Sequence, residues 1–374
     1  MAGGGFAGLT LATALATRGW SARVHERGPI PRGVGAGIFL WENGLAVLSA
    51  LGAQAHLRGR THQALQWEDR DADGRLLSAR PLPLPGGLRM VTLTRRDLHS
   101  ALIGRSRAAG VEIRAQSQVT GAEPAGALIT ADGSRWPADL VVGADGIHSA
   151  VRRALGLPTR HRRFEEFLIY RFLVALSRAP GAEGQWRNYV DHWDFKLRRR
   201  VLYVPCNDED LYLMLSARSA DLAATATPLD SETWRASFPL LGGLLESLPG
   251  DLRQDNYEAV DVKRWSAGRA AIVGDAAHAM PPTLGQGAGT AMMNALNLAL
   301  AVQRADDVRA ALRSWEAAER PATEATQKAS VERVKQLFPS AARGRSEWAA
   351  PDLEAARRTP GTAPGSAEAA EGLS

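Results

Sequence analysis

Hydrophobic residues near the start of the chain recur at helical spacing after a glycine-rich turn. Residues 3–8 read Gly-Gly-Gly-Phe-Ala-Gly, and the apolar residues that follow with helical spacing are Leu9, Ala12, Leu15 and Ala16. Gly19 is a helix-ending signal, and residues 21–25 form a short strand candidate that stops at Glu26. This order of turn, helix and strand predicts the second half of a βαβ unit.

The middle of the chain alternates between strand and helix patterns. Strand candidates at 65–67 and 75–77 flank Asp73-Gly74, a favoured hairpin turn, and prolines at 81, 83 and 85 argue against a central strand after them. A helical pattern covers 95–109, and further strand candidates occupy 111–113, 128–130 and 140–142. Strand-like stretches at 200–204 and 211–215 predict a mostly antiparallel sheet over about 165–260.

The last third of the chain is predicted to be mainly helical. The continuous apolar run 270–273 predicts a buried strand, and a glycine-rich loop and a helix from about Thr290 follow it. Later helices are expected to reach about Leu337 with an interruption at Pro321, and a flexible tail is expected after them.

Together these patterns predict an α/β protein in which a Rossmann-like dinucleotide-binding domain carries an inserted, mostly antiparallel β-sheet domain. The predicted segments are 1–62, 93–163 and 263–340 for the dinucleotide-binding domain and C-terminal helices, 63–92 and 164–262 for the substrate domain, and 341–374 for the tail.

Composition and charge narrow the class of protein. The 374 residues are 45% hydrophobic and 23% charged, which is typical of a soluble globular chain of about two domains. Of the 45 basic residues only four are lysine, and their scatter along the chain favours small anionic ligands over nucleic acid. The sequence shows no membrane-spanning run and no secretory leader, so we expect a cytoplasmic protein, with a homodimer left open.

Few residues suggest chemistry that is independent of a cofactor. The single cysteine, Cys206, excludes an internal disulfide and a cysteine-cluster metal site, and no His/Asp/Glu spacing suggests a metal. His278 invites a catalytic interpretation, but a packing histidine is the favoured one. No nucleophile elbow accompanies His148 and Ser149, so a hydrolase is not indicated.

Two glycine-rich segments carry the strongest chemical signal. Residues 3–8 fit the pattern G-x-G-x-x-G at a helix start, where backbone N–H groups face a pyrophosphate, and Glu26 follows at the distance of a ribose-binding acid. A plain loop is the alternative, but the helix and the acid in register favour a dinucleotide. Gly274-Asp275 comes directly after the strand at 270–273. Residues 285–289 read Gly-Gln-Gly-Ala-Gly before a helix, and the backbone donors at that helix start favour an anion that forms nearby.

With these motifs in order, the sequence resembles the single-component FAD-dependent aromatic monooxygenases, the group that includes 4-hydroxybenzoate hydroxylase. The resemblance covers about residues 3–318, and its three marks are residues 3–8 with Glu26-Arg27, residues 139–152, and Gly274-Asp275 through Gly289. It implies FAD as cofactor, NAD(P)H as co-substrate, and oxygen transfer from a flavin C4a-hydroperoxide to a small aromatic ring.

The resemblance also implies a set of cofactor contacts. The residues that it places at FAD are Gly3, Gly5, Phe6, Ala7, Glu26, Arg27, Gly33, Val34, Gly35, Leu40, Arg95, Val119, Asp145, Asp275, Gly287, Ala288 and Gly289. Pro282 matches a family proline beside the reactive flavin carbon, and is counted with the catalytic positions.

A closer likeness is to the pyridine-ring oxygenases of vitamin B6 breakdown, carried by residues 2–10, 35–44, 200–213 and 287–289. It implies that Arg200 and Tyr212 act at the substrate, where a guanidinium suits a carboxylate and a phenol suits a ring hydroxyl. A surface arginine in a basic run and a core tyrosine are the alternatives, held as equally good. Trp67 stands where a pocket tyrosine is expected.

The expected function is therefore NAD(P)H- and O2-dependent oxygenation of a hydroxypyridine- or hydroxybenzoate-type acid, with ring opening added by the closer likeness. A halogenase or reductase of related fold and a non-catalytic flavin-fold protein remain as alternatives. Only Met1-Ala2 precede Gly3, where a dinucleotide fold needs a central strand. Either upstream residues supply that strand, or its neighbours keep unpaired backbone groups and the chain binds FAD weakly.

Overall fold

The computed structural model of the chain describes residues 1–29, 36–179, 185–248, 253–337 and 353–361. The α-helices in these ranges are α1 (Phe6–Ala16), α2 (Glu42–Ala50), α3 (Arg95–Ala108), α4 (Ala150–Ala154), α5 (Ser231–Ser237), α6 (Gly242–Glu246), α7 (Asp275–His278), α8 (Gly287–Gln303) and α9 (Val308–Lys335). The strands are β1 (Arg23–His25), β2 (Gly37–Trp41), β3 (Thr61–His62), β4 (Gln66–Asp71), β5 (Leu76–Pro81), β6 (Met90–Thr94), β7 (Glu112–Arg114), β8 (Val119–Glu123), β9 (Ala127–Thr130), β10 (Arg135–Pro137), β11 (Val141–Gly143), β12 (Thr159–Ala175), β13 (Tyr189–Asp194), β14 (Arg199–Pro205), β15 (Asp210–Arg218), β16 (Arg253–Val262), β17 (Ser266–Ala267) and β18 (Ala270–Ile272).

Short parallel strands form one layer of the fold. β1 pairs with β7 and β11 pairs with β18, and both pairs are parallel. Every residue of β11 and β18 is buried, as expected of strands that are covered on both faces. Helices α1 and α8 share the core of this layer and are apolar around nearly their whole circumference, because they too are covered on all sides.

The first three residues join the two halves of this parallel layer. The amide of Ala2 donates to the Val142 carbonyl (2.8 Å), and on the other side the amide of His25 donates to the Met1 carbonyl (2.9 Å). Ala2 thereby forms parallel bridges to both Gly143 and His25 and is fully buried. The neighbouring strands are therefore paired at the ends that face the glycine turn, contrary to the predicted unpaired backbone groups.

A seven-stranded sheet forms the second layer, in the order β16-β12-β15-β14-β13-β4-β5. Its neighbouring strands are antiparallel except β13 and β4, which are parallel. The hairpin β4–β5 turns at the predicted Asp73-Gly74 and ends the sheet, so the proline-rich segment lies beside an edge strand. Two smaller antiparallel sheets, β2-β6-β3 and β10-β9-β8, and the two-residue strand β17, which pairs antiparallel with β18, complete the strands of the described residues.

The helix α9 runs without a break through Pro321, which corrects the predicted interruption. Proline inside a helix removes one backbone donor and costs about 3 kcal/mol. Buried side chains on both sides of the proline, among them Leu312, Trp315, Thr323 and Val331, fix the helix by tertiary packing. Among the helices of the described residues, none is long and apolar enough to cross a bilayer.

Part of the predicted flexible tail is packed against the body. Of residues 341–374 the structure describes 353–361, and there Ala355 and Ala356 are buried and the Ala355 carbonyl accepts from Asn43 of α2 (2.9 Å). Arg358 forms a bidentate pair with Glu319 of α9 (2.8 and 3.0 Å), with both side chains buried. The prediction of flexibility is wrong for this segment because a buried ion pair and apolar contacts hold it.

We expect Arg358→Ala to lower the free energy of unfolding by about 3 kcal/mol, because it leaves the buried Glu319 carboxylate without its cation. Arg357→Ala is the matched control, since the Arg357 side chain only caps the carbonyls of Pro85 and Gly86 at the surface. Denaturant unfolding of both variants measures the difference. Equal stabilities would show that the 353–361 segment does not depend on this pair.

Candidate active site

A cavity of about 790 Å³ opens where the parallel strands end. Three acidic residues mark that edge: Glu26 follows β1, Asp145 lies two residues beyond β11, and Asp275 lies three residues beyond β18. All three line the cavity, together with the start of α1 and one face of the seven-stranded sheet. Ligands of open α/β sheets bind at this edge, beyond the carboxyl ends of the strands.

The glycine turn at one end of the cavity is closely packed on its inner side and open on its outer side. A Cβ on Gly3, which has φ +100°, would lie 2.3 Å from the Ala144 carbonyl oxygen, and a Cβ on Gly8 would lie 2.1 Å from the Gly3 carbonyl oxygen. A Cβ on Gly5 would meet nothing within 4 Å. The chain can therefore pass close to its own neighbouring strand while Gly5 leaves room for a ligand at the start of α1.

Two side chains hold the glycine turn from either side. The Glu26 carboxylate accepts hydrogen bonds from the amides of Gly4 (2.8 Å) and Gly28 (2.9 Å), and a ring nitrogen of His99 lies 2.7 Å from the Gly4 carbonyl oxygen. Both side chains are buried. Glu26 thus positions the loop as well as facing the cavity, whereas sequence reasoning had assigned it only to a ribose.

The turn after β11 is fixed to the turn after β18. Asp145 caps α4 by accepting from the amides of Ala150 and Val151, and its second carboxylate oxygen is buried without a hydrogen-bond partner. Arg152, also buried, donates to the carbonyls of Ile147 (2.6 Å) and Ala276 (2.7 Å). The 139–152 motif therefore connects the two strand ends that carry Asp145 and Asp275.

Asp275 lines the cavity and is accessible from it. Many protein atoms nevertheless surround its carboxyl group. Burial raises the pKa of this carboxyl group above its usual range, and the positive charge of Arg95 acts in the opposite direction. Arg95 begins α3, lines the cavity and places its guanidinium 5.0 Å from the centre of the Phe6 ring. The carboxylate thus faces an open space that accommodates a hydroxyl-bearing ligand.

A short turn lies between the two ends of the cavity. Pro282 begins the 3-10 turn Pro282–Leu284, and Gly285 then takes a left-handed conformation with φ +64°. A Cβ on Gly285 would lie 2.9 Å from the Cβ of Phe39, so this position requires glycine. Gly287 starts α8 at the cavity wall, which directs the N-terminus of that helix towards the enclosed space.

Aromatic side chains form the far end of the cavity. Trp67 stacks on Phe39 with ring centres 5.3 Å apart, and Tyr189 meets both rings edge-on. Tyr212 also lines the cavity and packs so closely on β2 that a Cβ on Gly37 would lie 2.5 Å from it. Burial raises the pKa of the Tyr212 phenol, so it stays protonated and can donate at neutral pH.

Arg200 is buried in the wall of this aromatic end. Its guanidinium forms a bidentate pair with Asp191 (2.6 and 3.0 Å) and lies 4.8 Å from the centre of the Trp193 ring. The alternative of a surface arginine is therefore wrong. Asp191 also accepts from the indole nitrogen of Trp67 (3.2 Å), so two of the three predicted substrate residues, Arg200 and Trp67, contact one carboxylate.

The structure brings most of the predicted site residues to the one cavity. Those that line it are Gly3, Gly5, Phe6, Ala7, Glu26, Arg27, Trp67, Arg95, Val119, Asp145, Arg200, Tyr212, Asp275, Pro282, Gly287 and Ala288. Leu40 and Gly289 lie behind its wall, where Leu40 packs on Gly44 and Gly289 on Asn43. Gly33, Val34 and Gly35 lie outside the described residues.

Several residues of the site carry no local sequence signal. His99, Arg171 and Phe39 line the cavity from helix or strand positions that the sequence does not relate to a glycine motif, and Asp191 reaches the site through its bonds to Arg200 and Trp67. Only the alternation of side chains along a strand would have placed Asp191 and Arg200 on one face. His278 is buried away from the cavity beside Trp265, and burial lowers its pKa to about 4, so it is a packing histidine.

The residues present fit FAD. Gly5 leaves open space where a diphosphate would approach the start of α1, and the cavity extends from there along Asp275 to the aromatic end. Its volume lies within the range of small-molecule and cofactor sites, about 300–1,000 Å³. Among the described residues there is no group of three or more His, Cys, Asp or Glu side chains arranged to hold a metal ion.

The comparisons with known proteins agree with this geometry. The family described as FAD binding domain matches residues 1–330. The chain is 42% identical over 327 residues to a putative 2-heptyl-3-hydroxy-4(1H)-quinolone synthase of Rhodococcus erythropolis, which covers 87% of this chain and 84% of the relative. A 2-heptyl-3-hydroxy-4(1H)-quinolone synthase of Mycobacteroides abscessus is 42% identical over 334 residues, 88% of this chain and 87% of the relative.

The solved structures point to the same architecture. The tetrameric form of 2-methyl-3-hydroxypyridine-5-carboxylic acid oxygenase superposes with a TM-score of 0.87 at 39% identity, over 95% of each chain. The predicted fold, a Rossmann-like FAD-binding domain with an inserted β-sheet domain, is thereby confirmed, as is FAD as the cofactor.

We expect Gly5→Ala to weaken FAD binding at least tenfold while leaving the cofactor-free protein as stable as the wild type, because the added methyl group enters only the open space. Gly8→Ala is the matched comparison: its methyl group meets the Gly3 carbonyl and lowers the free energy of unfolding by about 1–3 kcal/mol. Fluorescence titration with FAD and thermal unfolding measure the two effects. Unchanged FAD affinity in the Gly5 variant would contradict this placement of the cofactor.

We expect Asp275→Asn to raise the unfolding temperature of the cofactor-free protein at pH 7 and to weaken FAD binding. The raised pKa means that the ionised carboxylate destabilises the folded state, so the Asp275 contribution to stability falls as the pH rises through that pKa. The difference between variant and wild type should vanish at low pH. Asp139→Asn, at an exposed position, is the control for a change of charge alone.

Proposed function

Because the chain belongs to the family of FAD-dependent monooxygenases that carry this FAD-binding domain, we propose that it oxygenates an electron-rich, hydroxylated N-heteroaromatic ring with NAD(P)H and O2. The coarser activity, FAD-dependent monooxygenation of an aromatic compound, follows from the family. The ring class is the proposal.

The observation that carries the proposal is that one cavity contains both a dinucleotide cradle and an aromatic chamber. The glycine turn and Asp275 lie at one end, and Trp67, Phe39 and Tyr212 lie at the other, with Pro282 and the start of α8 between them. A planar ring that stacks among the aromatic side chains would face the part of the cofactor held near Pro282 and Gly287. Proximity of this kind is the main contribution that the protein makes to a cofactor-borne reaction.

Each residue of the chamber has a task that its surroundings support. The protonated Tyr212 phenol can donate to an oxygen substituent or to a nitrogen of the ring, and the aromatic walls exclude water from the reacting ring. Bound FAD supplies the transfer of one oxygen atom from O2 after reduction by NAD(P)H. The N-terminus of α8 favours negative charge at the cavity wall beside Gly287.

The named relatives support a nitrogen-containing ring. The quinolone synthases and the hydroxypyridine-carboxylic acid oxygenase are named for rings that share a ring nitrogen and an oxygen substituent on the ring. A second candidate, oxygenation of a hydroxypyridine carboxylate with ring opening, is favoured by the superposition at a TM-score of 0.87.

The proposal is tested by screening hydroxypyridines, hydroxyquinolines and hydroxybenzoates for faster NAD(P)H oxidation by the FAD-loaded protein. We expect N-heteroaromatic rings to stimulate oxidation at least tenfold more than hydroxybenzoates, and the product to gain one oxygen atom from 18O2. A further gain of one water molecule, whose oxygen carries no label, would identify hydrolytic opening of the oxygenated ring. Oxidation that no ring stimulates, or hydroxybenzoates as the best substrates, would overturn the proposal.

We also expect Tyr212→Phe to reduce kcat/KM for the best ring by about tenfold while leaving FAD affinity unchanged, because it removes one hydrogen-bond donor in the chamber. Tyr203→Phe is the control. Tyr203 lies on the neighbouring strand β14 and packs in a different hydrophobic cluster. Steady-state kinetics and FAD titration measure the two quantities. Equal kcat/KM values for the Tyr212 variant and the wild type would remove the phenol from the proposed site.

A further inference from the structure

Among the described residues, the two cations in the wall of the aromatic chamber, Arg200 and Arg171, are each paired with an aspartate of the chain. Arg200 holds Asp191 through two hydrogen bonds of 2.6 and 3.0 Å, and Arg171 holds Asp255 at 2.9 Å. Both arginines line the cavity. At these two described positions the wall therefore carries guanidinium groups whose positive charge is balanced by a carboxylate.

The Arg200 pair is the more deeply buried of the two. Its side chains are 5% and 0% exposed, whereas those of Arg171 and Asp255 are 23% and 22% exposed. Water therefore screens the charge of Asp191 less than that of Asp255, and the electric field of the Asp191 carboxylate acts on a ligand that enters the chamber. The Trp67 indole nitrogen donates to the same carboxylate, which fixes it beside the ring that stacks on Phe39.

We propose that Asp191 is a specificity-determining residue that adapts the chamber to rings without a carboxylate group, by occupying the guanidinium face with which Arg200 would otherwise bind a substrate carboxylate. The inference rests on the proposed function in taking the chamber as the place where the ring binds. It reverses the sequence-based expectation that Arg200 serves an aromatic acid.

The physical reason is competition for one guanidinium. A substrate carboxylate that approached Arg200 would share it with a buried carboxylate, and two like charges around one cation in a water-poor site repel each other. It would also give up its own hydration on entering the chamber. An uncharged ring has neither cost, and it gains the stacking surface of Trp67 and Phe39.

The neighbouring residue on the same strand offers a matched control. Arg199 precedes Arg200 on β14, and its side chain leaves the opposite face of the sheet to form a bidentate pair with Asp221 (2.7 and 3.1 Å). Neither Arg199 nor Asp221 lines the cavity. Asp221→Asn therefore breaks a comparable arginine–aspartate pair on the opposite face of the sheet without changing the chamber.

The experiment compares two ligands of the same bicyclic ring, 2-methyl-4(1H)-quinolone, which is uncharged, and 4-hydroxyquinoline-2-carboxylate, which is an anion. Binding to the oxidised FAD-loaded protein is measured by calorimetry and by the change in flavin absorbance, so that no turnover is needed. We expect the wild type to bind the uncharged ring at least tenfold more tightly. Asp191→Asn should shift this ratio at least tenfold towards the carboxylate, and Asp221→Asn should leave it unchanged.

If the single variant does not fold, the double variant Asp191→Asn with Arg200→Gln takes its place. It removes both charges and keeps a hydrogen-bonded pair of similar shape. We expect it to keep the wild-type ratio within about threefold, because the net charge stays at zero. Equal binding of both ligands by the wild type, or a ratio that Asp191→Asn does not change, would overturn the inference. If the wild type shows the expected ratio of affinities for the two ligands but no ring stimulates its NAD(P)H oxidation, the proposed function alone is refuted.

Discussion

The rest of the site depends on how closely the glycine turn passes the end of the neighbouring parallel strand. At Gly3 and Gly8 there is no room for a side-chain atom, and the amide and carbonyl groups around Ala2 hold the turn between β1 and β11. This close approach aims the start of α1 at the cavity and brings Glu26, Asp145 and Asp275 to one edge. Only a backbone without side chains can take this path at Gly3 and Gly8, so these two glycines fix the cofactor end of the cavity, where Gly5 leaves space for the ligand.

Much of the fold and of the cofactor end could be predicted from sequence because their signals are local. Glycine spacing, a helix start and an acid at a strand end lie within 26 residues of one another, and three such segments in order resemble one family. The substrate end could not be predicted in the same way. Asp191 and Trp67 are 124 residues apart along the chain and meet only through the parallel pairing of β13 and β4.

The errors have physical causes of the same kind. Local propensity placed a break at Pro321 and flexibility at 353–361, but tertiary contacts decide both: packing fixes α9 through its proline, and the Arg358–Glu319 pair holds the C-terminal segment. Likewise, a run of three arginines is hydrophilic in composition, yet two of them are buried because each pairs with a carboxylate: Arg200 with Asp191 on the adjacent strand, and Arg199 with Asp221 beyond the next strand.

Arg199 and Arg200 are adjacent in the sequence but have different roles, one in the packing of the fold and one in the wall of the chamber. One is locked beneath α5 on the outer side of the sheet, where its carboxylate partner is Asp221, and the other faces the chamber with Asp191. Across descendants of a common ancestor, positions 199 and 221 should therefore co-vary under selection for foldability alone. Positions 200 and 191 should co-vary separately from that pair, according to the substrate that each enzyme oxygenates rather than according to the stability of its fold.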